Sequence, residues 1–329
     1  MIDWPLERDL ERSVSAARAT RARIAPFIAH TPLVASADGE RLLKLETLQR
    51  TGSFKVRGAA AAITAARSPR EVVAASTGNH GLAVAGVARA LGLPCRVFVP
   101  AAVRPVKLER LRATGARLEI VDGDPLEAEL VARVQAQRVP GAVLVPPYND
   151  PEVVLGQATL GLELLEDASA PPATLFAGVG GGGLIAGIAL AVRARWPDCA
   201  IVGCVPAASP AMRDAIAAGE AVDSPVLPTL ADATAGNIEP GALTIPICAA
   251  LVEELLVIDE REIADAIRVA LWSERLVIEG GAALALAGSL RGTLPGPHLV
   301  VLSGGAIDRD ALLGVLAGDR DASRGPDRG

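Results

Sequence analysis

The sequence predicts an α/β protein whose parallel strands are covered by helices on both faces. Short apolar runs alternate with helical stretches of about ten residues along almost the whole chain, which is the pattern of consecutive strand–helix units. Runs such as Val72-Val-Ala-Ala75 are apolar throughout, as strands buried on both faces are. Turns rich in glycine and hydroxyl groups stand at the ends of such runs, where α/β folds bind ligands.

In chain order, residues 6–28 carry apolar positions at helical spacing, including Val14, Ala17, Ile24 and Ile28, and predict an amphipathic helix. Thr31-Pro32-Leu33 ends it, because proline disfavours helix in the residue before it. Leu42–Leu45 reads as a strand, and a helix runs from near Ser53 to about Ala66. Val72–Ala75 is a strand that opens into Ser76-Thr-Gly-Asn-His-Gly81 and a helix to Leu91. Strands follow at Arg96–Val99, Arg117–Val121 and Ala142–Val145, with helices near 105–114 and 125–137 between them. The second half repeats this grammar. Pro151–Leu165 is a helix, Thr174–Ala177 a strand, and Gly178-Val-Gly-Gly-Gly-Gly183 leads into a helix to Arg195. Ala200–Val205 is a strand, and residues 206–250 are irregular with short helices. The strand Glu254–Ile258, helices at 260–274 and 280–291, and the strand Leu299–Leu302 with Ser303-Gly-Gly305 close the pattern. Residues 319–329, rich in Asp, Arg, Gly, Ser and Pro, read as a disordered tail.

Composition narrows the function. The 329 residues suffice for one large or two ordinary domains. Half are apolar, yet there are only four Phe, three Trp and one Tyr. The core is therefore aliphatic, and 33 glycines permit close backbone approach. The net charge of −6 is dispersed, with no basic stripe, which argues against a nucleic-acid partner. No signal peptide precedes the first helix and no apolar run reaches membrane-spanning length. The scattered Cys95, Cys199, Cys204 and Cys248 fit buried thiols in a reducing cytoplasm.

Four stretches carry chemistry. In Thr51-Gly-Ser-Phe-Lys-Val-Arg57, Lys55 lies between an aromatic residue and an apolar run. Burial would lower its pKa and free a neutral amine, the form that adds to aldehydes as a Schiff base. The glycine run places several backbone N–H groups at a helix N-terminus, an anion site by geometry and dipole. It also matches GxGxxG at Gly178, Gly180 and Gly183. A dinucleotide fold wants an acid at the end of the next strand, but that strand ends Gly203-Cys-Val-Pro206. No Lys-Ser/Thr follows the glycines either, so a small phosphate monoester fits better than NAD or ATP. Ser76, Thr77, Gly78, Asn79 and His80 offer hydroxyls, an amide, an imidazole and backbone N–H groups for a carboxylate and a phenolic oxygen. Ser303-Gly-Gly305 again stands at a strand's C-terminal end. His30 and His298 have no such setting.

Together these motifs resemble the fold-type-II pyridoxal-phosphate enzymes of the threonine dehydratase and serine racemase family, from about Ile24 to Leu316. The resemblance implies two open, twisted, mostly parallel sheets. Residues 1–68 and 150–318 would form a large cofactor-binding domain, and residues 69–149 a small mobile domain carrying the substrate loop. It implies pyridoxal 5′-phosphate as cofactor, a small amino acid as substrate and a homodimer. Lys55 would hold the cofactor covalently and shuttle the Cα proton. Phe54 and Asn79 would contact the ring and its 3′-oxygen, and Gly180, Gly181, Gly182, Gly183 and Leu184 would cradle the phosphate. Ser303 would meet the ring nitrogen, and Glu279, in Val-Ile-Glu-Gly-Gly, would lie near the cofactor. Ser76, Thr77, Gly78, Asn79 and His80 would bind the substrate. A neutral hydroxyl at the ring nitrogen leaves a weaker electron sink than a charged partner would. A long-lived carbanion is then less favoured, and β-elimination of water from a 3-hydroxy amino acid such as threonine or serine is implied.

The chain departs from the pattern at three places. The metal-site acid of serine racemases is Val205 here, so no metal is expected there. Thr77 stands where racemases have serine and many dehydratases alanine, which keeps racemisation open as the alternative. The usual Ala-Asp-Gly is Ala231-Asp232-Ala233. Hydroxyectoine-breakdown dehydratases share Ser-Thr-Gly-Asn-His and a run like Pro146–Pro151, so a hydroxyectoine-derived or 3-hydroxyaspartate substrate also stays open. The C-terminal effector domain of biosynthetic threonine dehydratases is not expected, nor is isoleucine feedback. An inactive cofactor- or nucleotide-binding protein is the reading from another class, and Lys55 among its partners argues against it.

Overall fold

A computed structural model describes residues 9–123 and 125–318. The predicted disordered tail lies outside them. The first helix, α1 (Leu10–Ile24), is capped by Asp9 and ends four residues short of the expected limit, in a turn before Ile28. Pro26 supplies the reason, since proline cannot continue a helix. Two strands form a hairpin, β1 (Leu33–Ala35) and β2 (Arg41–Leu45), of which the first was not expected. Then come α2 (Lys55–Ala65), β3 (Glu71–Ala75), α3 (Asn79–Ala90), β4 (Cys95–Pro100), α4 (Pro105–Arg112), β5 (Arg117–Val121), α5 (Pro125–Arg138) and β6 (Ala142–Leu144). The second half holds α6 (Pro151–Asp167), β7 (Thr174–Gly178), α7 (Gly183–Val192), β8 (Ala200–Pro206), α8 (Ala211–Ala218), α9 (Thr244–Leu251), β9 (Glu254–Ile258), α10 (Glu260–Trp272), α11 (Gly280–Leu290), β10 (His298–Leu302) and α12 (Arg309–Ala317).

The strands form two sheets. A six-stranded sheet runs β1-β2-β10-β7-β8-β9, parallel except for β1 at its edge. A four-stranded sheet, β5-β4-β3-β6, is wholly parallel. The last helix, α12, was missed by the sequence pattern. Among its residues only Val315 is buried, so it lacks the broad apolar stripe that the periodicity rule detects.

The lysine-bearing helix α2 is held in two ways. Its backbone lies directly on α6, where a Cβ at Gly156 would come within 2.6 Å of the Gly58 Cα. Its third residue, Arg57, is wholly buried and divides its guanidinium between two buried acids. Nε lies 2.8 Å from Glu46 and Nη1 2.7 Å from Glu163. Lys44, also buried, reaches Glu163 at 2.8 Å and Asp167 at 2.9 Å. The Thr31 hydroxyl donates to Glu46, and His30 meets Asp167 at 2.8 Å. This network joins β2, α2 and α6 behind the site. Elsewhere α7 is buried on every side, as expected of a helix apolar all round.

Candidate active site

The lysine stretch is stitched to the end of β10. Phe54 N donates to Ser303 O at 3.0 Å, Gly305 N donates to Gly52 O at 3.0 Å, and Ser53 bridges Gly304. The approach is close: a Cβ at Gly304 would lie 2.6 Å from a Glu279 oxygen. These contacts bring Phe54, Lys55, Ser303 and Glu279 together.

The Lys55 amine donates to the Pro147 carbonyl at 2.9 Å and lies 5.2 Å from the Phe54 ring centroid. Desolvation lowers its pKa to about 8, against the raising influence of Glu279. The neutral amine is therefore available near neutral pH, as Schiff-base chemistry requires. The rate at which apoprotein captures pyridoxal phosphate is expected to rise with pH through about 8. A stopped-flow absorbance series over pH checks this, and a flat profile would contradict it. The sign for stability follows. A lysine whose folded pKa is depressed costs stability while charged, so the apoprotein gains stability as pH rises from about 8 toward 10.5.

Glu279 precedes α11 but does not cap it. Its carboxylate turns to the site, accepting both contacts from Asn79 Nδ2 at 2.8 Å and one from Ala306 N at 3.2 Å. Burial raises its pKa, the Asn79 bonds oppose this, and Asp232 adds to the rise. Asn79 opens α3, so this contact joins the 76–81 turn of the four-stranded sheet to the six-stranded sheet. The other Asn79 atom, Oδ1, is buried without a partner, as is Ser53 Oγ.

At the 76–81 turn, Gly78 N donates to Ser76 Oγ, and the first backbone bond of α3 runs from Leu82 N to Gly78 O. The N–H groups of Asn79, His80 and Gly81 thus have no carbonyl within the helix. The His80 imidazole is placed elsewhere: Nε2 lies 2.7 Å from Val145 O, so that nitrogen carries the hydrogen. Desolvation lowers its pKa to about 3, and the ring is neutral. What His80 offers the turn is its backbone N–H.

The glycine loop is a built cradle. Val179 N pairs with Cys204 O, and backbone bonding resumes only at Ala186 N, to Gly182 O. A Cβ on Gly181 would lie within 2.5 Å of the Tyr148 ring, and one on Gly180 would meet Thr234 O at 2.8 Å. Gly182 has φ +81, which favours glycine. The Thr244 hydroxyl fixes the loop from behind by donating to Gly181 O at 2.8 Å.

These residues fit pyridoxal phosphate. A desolvated amine suits its aldehyde, the helix N-terminal amides suit its phosphate, and the orphaned Ser53 and Asn79 oxygens call for polar partners. Ser53, Pro147, Tyr148 and Thr234 were not predicted as site residues. Only the Pro146–Pro151 run hinted at two of them. Val205 is buried in the core of the large sheet. Among the described residues no cluster of His, Cys, Asp or Glu is placed to hold a metal.

Comparison with known proteins agrees with this geometry. The family of pyridoxal-phosphate dependent enzymes matches residues 24–304. An L-threonine ammonia-lyase of Geobacter sulfurreducens is 42% identical, covering 80% of this chain and 67% of its own. The crystal structure of the T.th. threonine deaminase superposes with a TM-score of 0.82 at 36% identity, covering 90% of this chain and 98% of its own. Maize serine racemase superposes with a TM-score of 0.83 at 29% identity, covering 94% and 98%. The chain belongs to the pyridoxal-phosphate dependent enzymes, in the fold-type-II group of the threonine dehydratases.

Proposed function

We propose that this protein is an ammonia-lyase that removes water from a 3-hydroxy amino acid and yields a 2-oxo acid and ammonia. The observation that carries the reading is the Lys55 amine, desolvated and held at Pro147 O among Phe54, Ser303 and Glu279. Its similarity to threonine ammonia-lyases supports the same reading. When bound, pyridoxal phosphate supplies the electron sink at the substrate's Cα. The chain's own groups do the rest. Gly180 to Leu184 would receive the phosphate on their amides, while Phe54 and Asn79 would hold the ring. The Ser303 hydroxyl would meet the ring nitrogen. Ser76, Thr77, Gly78 and the N–H groups of Asn79 and His80 orient the substrate carboxylate. Lys55 takes the Cα proton as general base. Departure of the 3-hydroxyl leaves an enamine that hydrolyses in water. The test is 2-oxo acid release from L-threonine, L-serine, both 3-hydroxyaspartate diastereomers and a hydroxyectoine-derived amino acid. Release from any one establishes the lyase, and silence across the panel from cofactor-loaded protein would overturn it.

The Thr77 hydroxyl, in the turn after β3, supports racemisation as the second reading. Chiral chromatography of serine incubated with wild type and Thr77→Ala separates the two. Interconversion lost in the variant favours a racemase.

Residues 69–149 serve as a small domain that closes over the substrate. Four ion pairs support this. Arg104–Asp232 and Lys107–Asp232 span 3.6 and 2.8 Å, and Arg104–Asp308 and Arg133–Glu239 each 3.1 Å. In each the cation belongs to 69–149 and the acid to the rest of the chain. Asp232→Asn is expected to raise KM by about two- to fivefold, the scale of an exposed pair. Steady-state kinetics at two salt concentrations check it. Added salt should weaken wild type more than the variant. Unpaired cysteines support a reducing cytoplasm. Exposed Trp272, Val277 and Leu48 support a homodimer, testable by light scattering.

A further inference from the structure

We infer that Glu239 is a positioning residue that holds the 146–150 loop against both the glycine cradle and α5. This rests on reading the glycine loop as the phosphate seat. The loop is the passage from β6 to α6, and it touches the site at two points. The Pro147 carbonyl accepts from Lys55, and Tyr148 forms the wall of the cradle, its ring beneath Gly181 and its Cβ and backbone against Gly183. Yet Pro146 and Pro147 have no N–H with which to anchor it.

The anchoring comes from outside the loop. Glu239 N donates to the Tyr148 hydroxyl at 2.9 Å, and Asn149 Nδ2 donates to Glu239 Oε1. Leu243 N donates to Asn149 Oδ1 at 2.9 Å, which fixes the orientation of that amide. The second Glu239 oxygen, Oε2, accepts from Arg133 of α5 at 3.1 Å. Both partners of the carboxylate are donors. Glutamine has one acceptor oxygen and one donor nitrogen, so Glu239→Gln can satisfy only one of them. Further along the same segment, Thr244 holds Gly181. Glu239 thus sets the wall of the cradle without itself touching the ligand.

The test uses full-length apoprotein titrated with pyridoxal phosphate and, separately, with pyridoxal, which lacks the phosphate. Glu239→Gln is expected to reduce the preference for pyridoxal phosphate over pyridoxal by about tenfold, the scale of one lost hydrogen bond to a charged group, and Tyr148→Phe by about fivefold, the scale of a neutral one. Gly181→Ala should reduce it at least as much. If Gly181→Ala lowers the preference while Glu239→Gln and Tyr148→Phe stay within twofold of wild type, the role of Glu239 is overturned and the phosphate seat stands. If Gly181→Ala also leaves it unchanged, the seat and the inference fall together. Equal losses for the two ligands in Glu239→Gln would mark a general structural role and overturn the proposal.

Discussion

Replacing Lys55 with alanine is expected to lower kcat by about 10²- to 10⁴-fold, the scale of a lost general acid–base group, and to remove the absorbance band of lysine-bound cofactor. On the proposed reading the Lys55 amine combines covalent capture of the cofactor with proton transfer. Its neighbours cannot replace it. The His80 imidazole is turned to Val145 O and neutral, and Glu279 is engaged by Asn79 and Ala306. Lys55→Arg should fail equally, because a guanidinium stays charged. Absorbance spectra of both variants, with 2-oxo acid release measured beside them, decide the matter. Activity within tenfold of wild type in Lys55→Ala would remove the lysine from the chemistry.

Arg57→Leu is expected to cost about 3–5 kcal/mol of stability, the loss seen when one partner of a buried pair is removed. Lys44 still faces Glu163 in the variant. Glu46 is the stranded group, left with the Thr31 hydroxyl and Gln49. Arg57 is invisible to solvent, so water cannot compensate. A triple replacement of Arg57, Glu46 and Glu163 by apolar residues of similar volume should recover part of the loss, Lys44 then keeping Asp167. Denaturant midpoints at constant slope measure each step. A shift worth less than about 1 kcal/mol in Arg57→Leu would show the network to be screened rather than buried.

Much of the site was legible because its chemistry is carried by contiguous backbone. Ser76 to His80, the glycine run and Ser303-Gly-Gly305 each mark a strand end, and a local pattern suffices to find them. Side chains that act across the fold left no such mark. Glu46 and Glu163 stand far apart in the chain, yet both close on Arg57. Tyr148 reads as one aromatic residue in a proline-rich turn, and only the folded contact with Gly181 makes it a wall. His80 misled in the opposite direction. It stands in the motif, but the Val145 carbonyl just past β6 takes its imidazole N–H. The strand β1 was missed because three residues, two of them exposed, carry too little pattern.

The one-sided polarity of the seam has a kinetic consequence. With the two sheets apposed, Arg104, Lys107 and Arg133 are neutralised by Asp232, Asp308 and Glu239. On the proposed closure, parting the seam would free Arg104 and Lys107 of Asp232 and Asp308 and leave Arg133 with Glu129 of its own helix. An open molecule would then present Arg104 and Lys107 to an incoming carboxylate over roughly a Debye length, about 8 Å at physiological salt. A closed one, with those cations paired to Asp232 and Asp308, would present less of that field. On the proposed closure, attraction would act on arrival and fade as the pairs re-form.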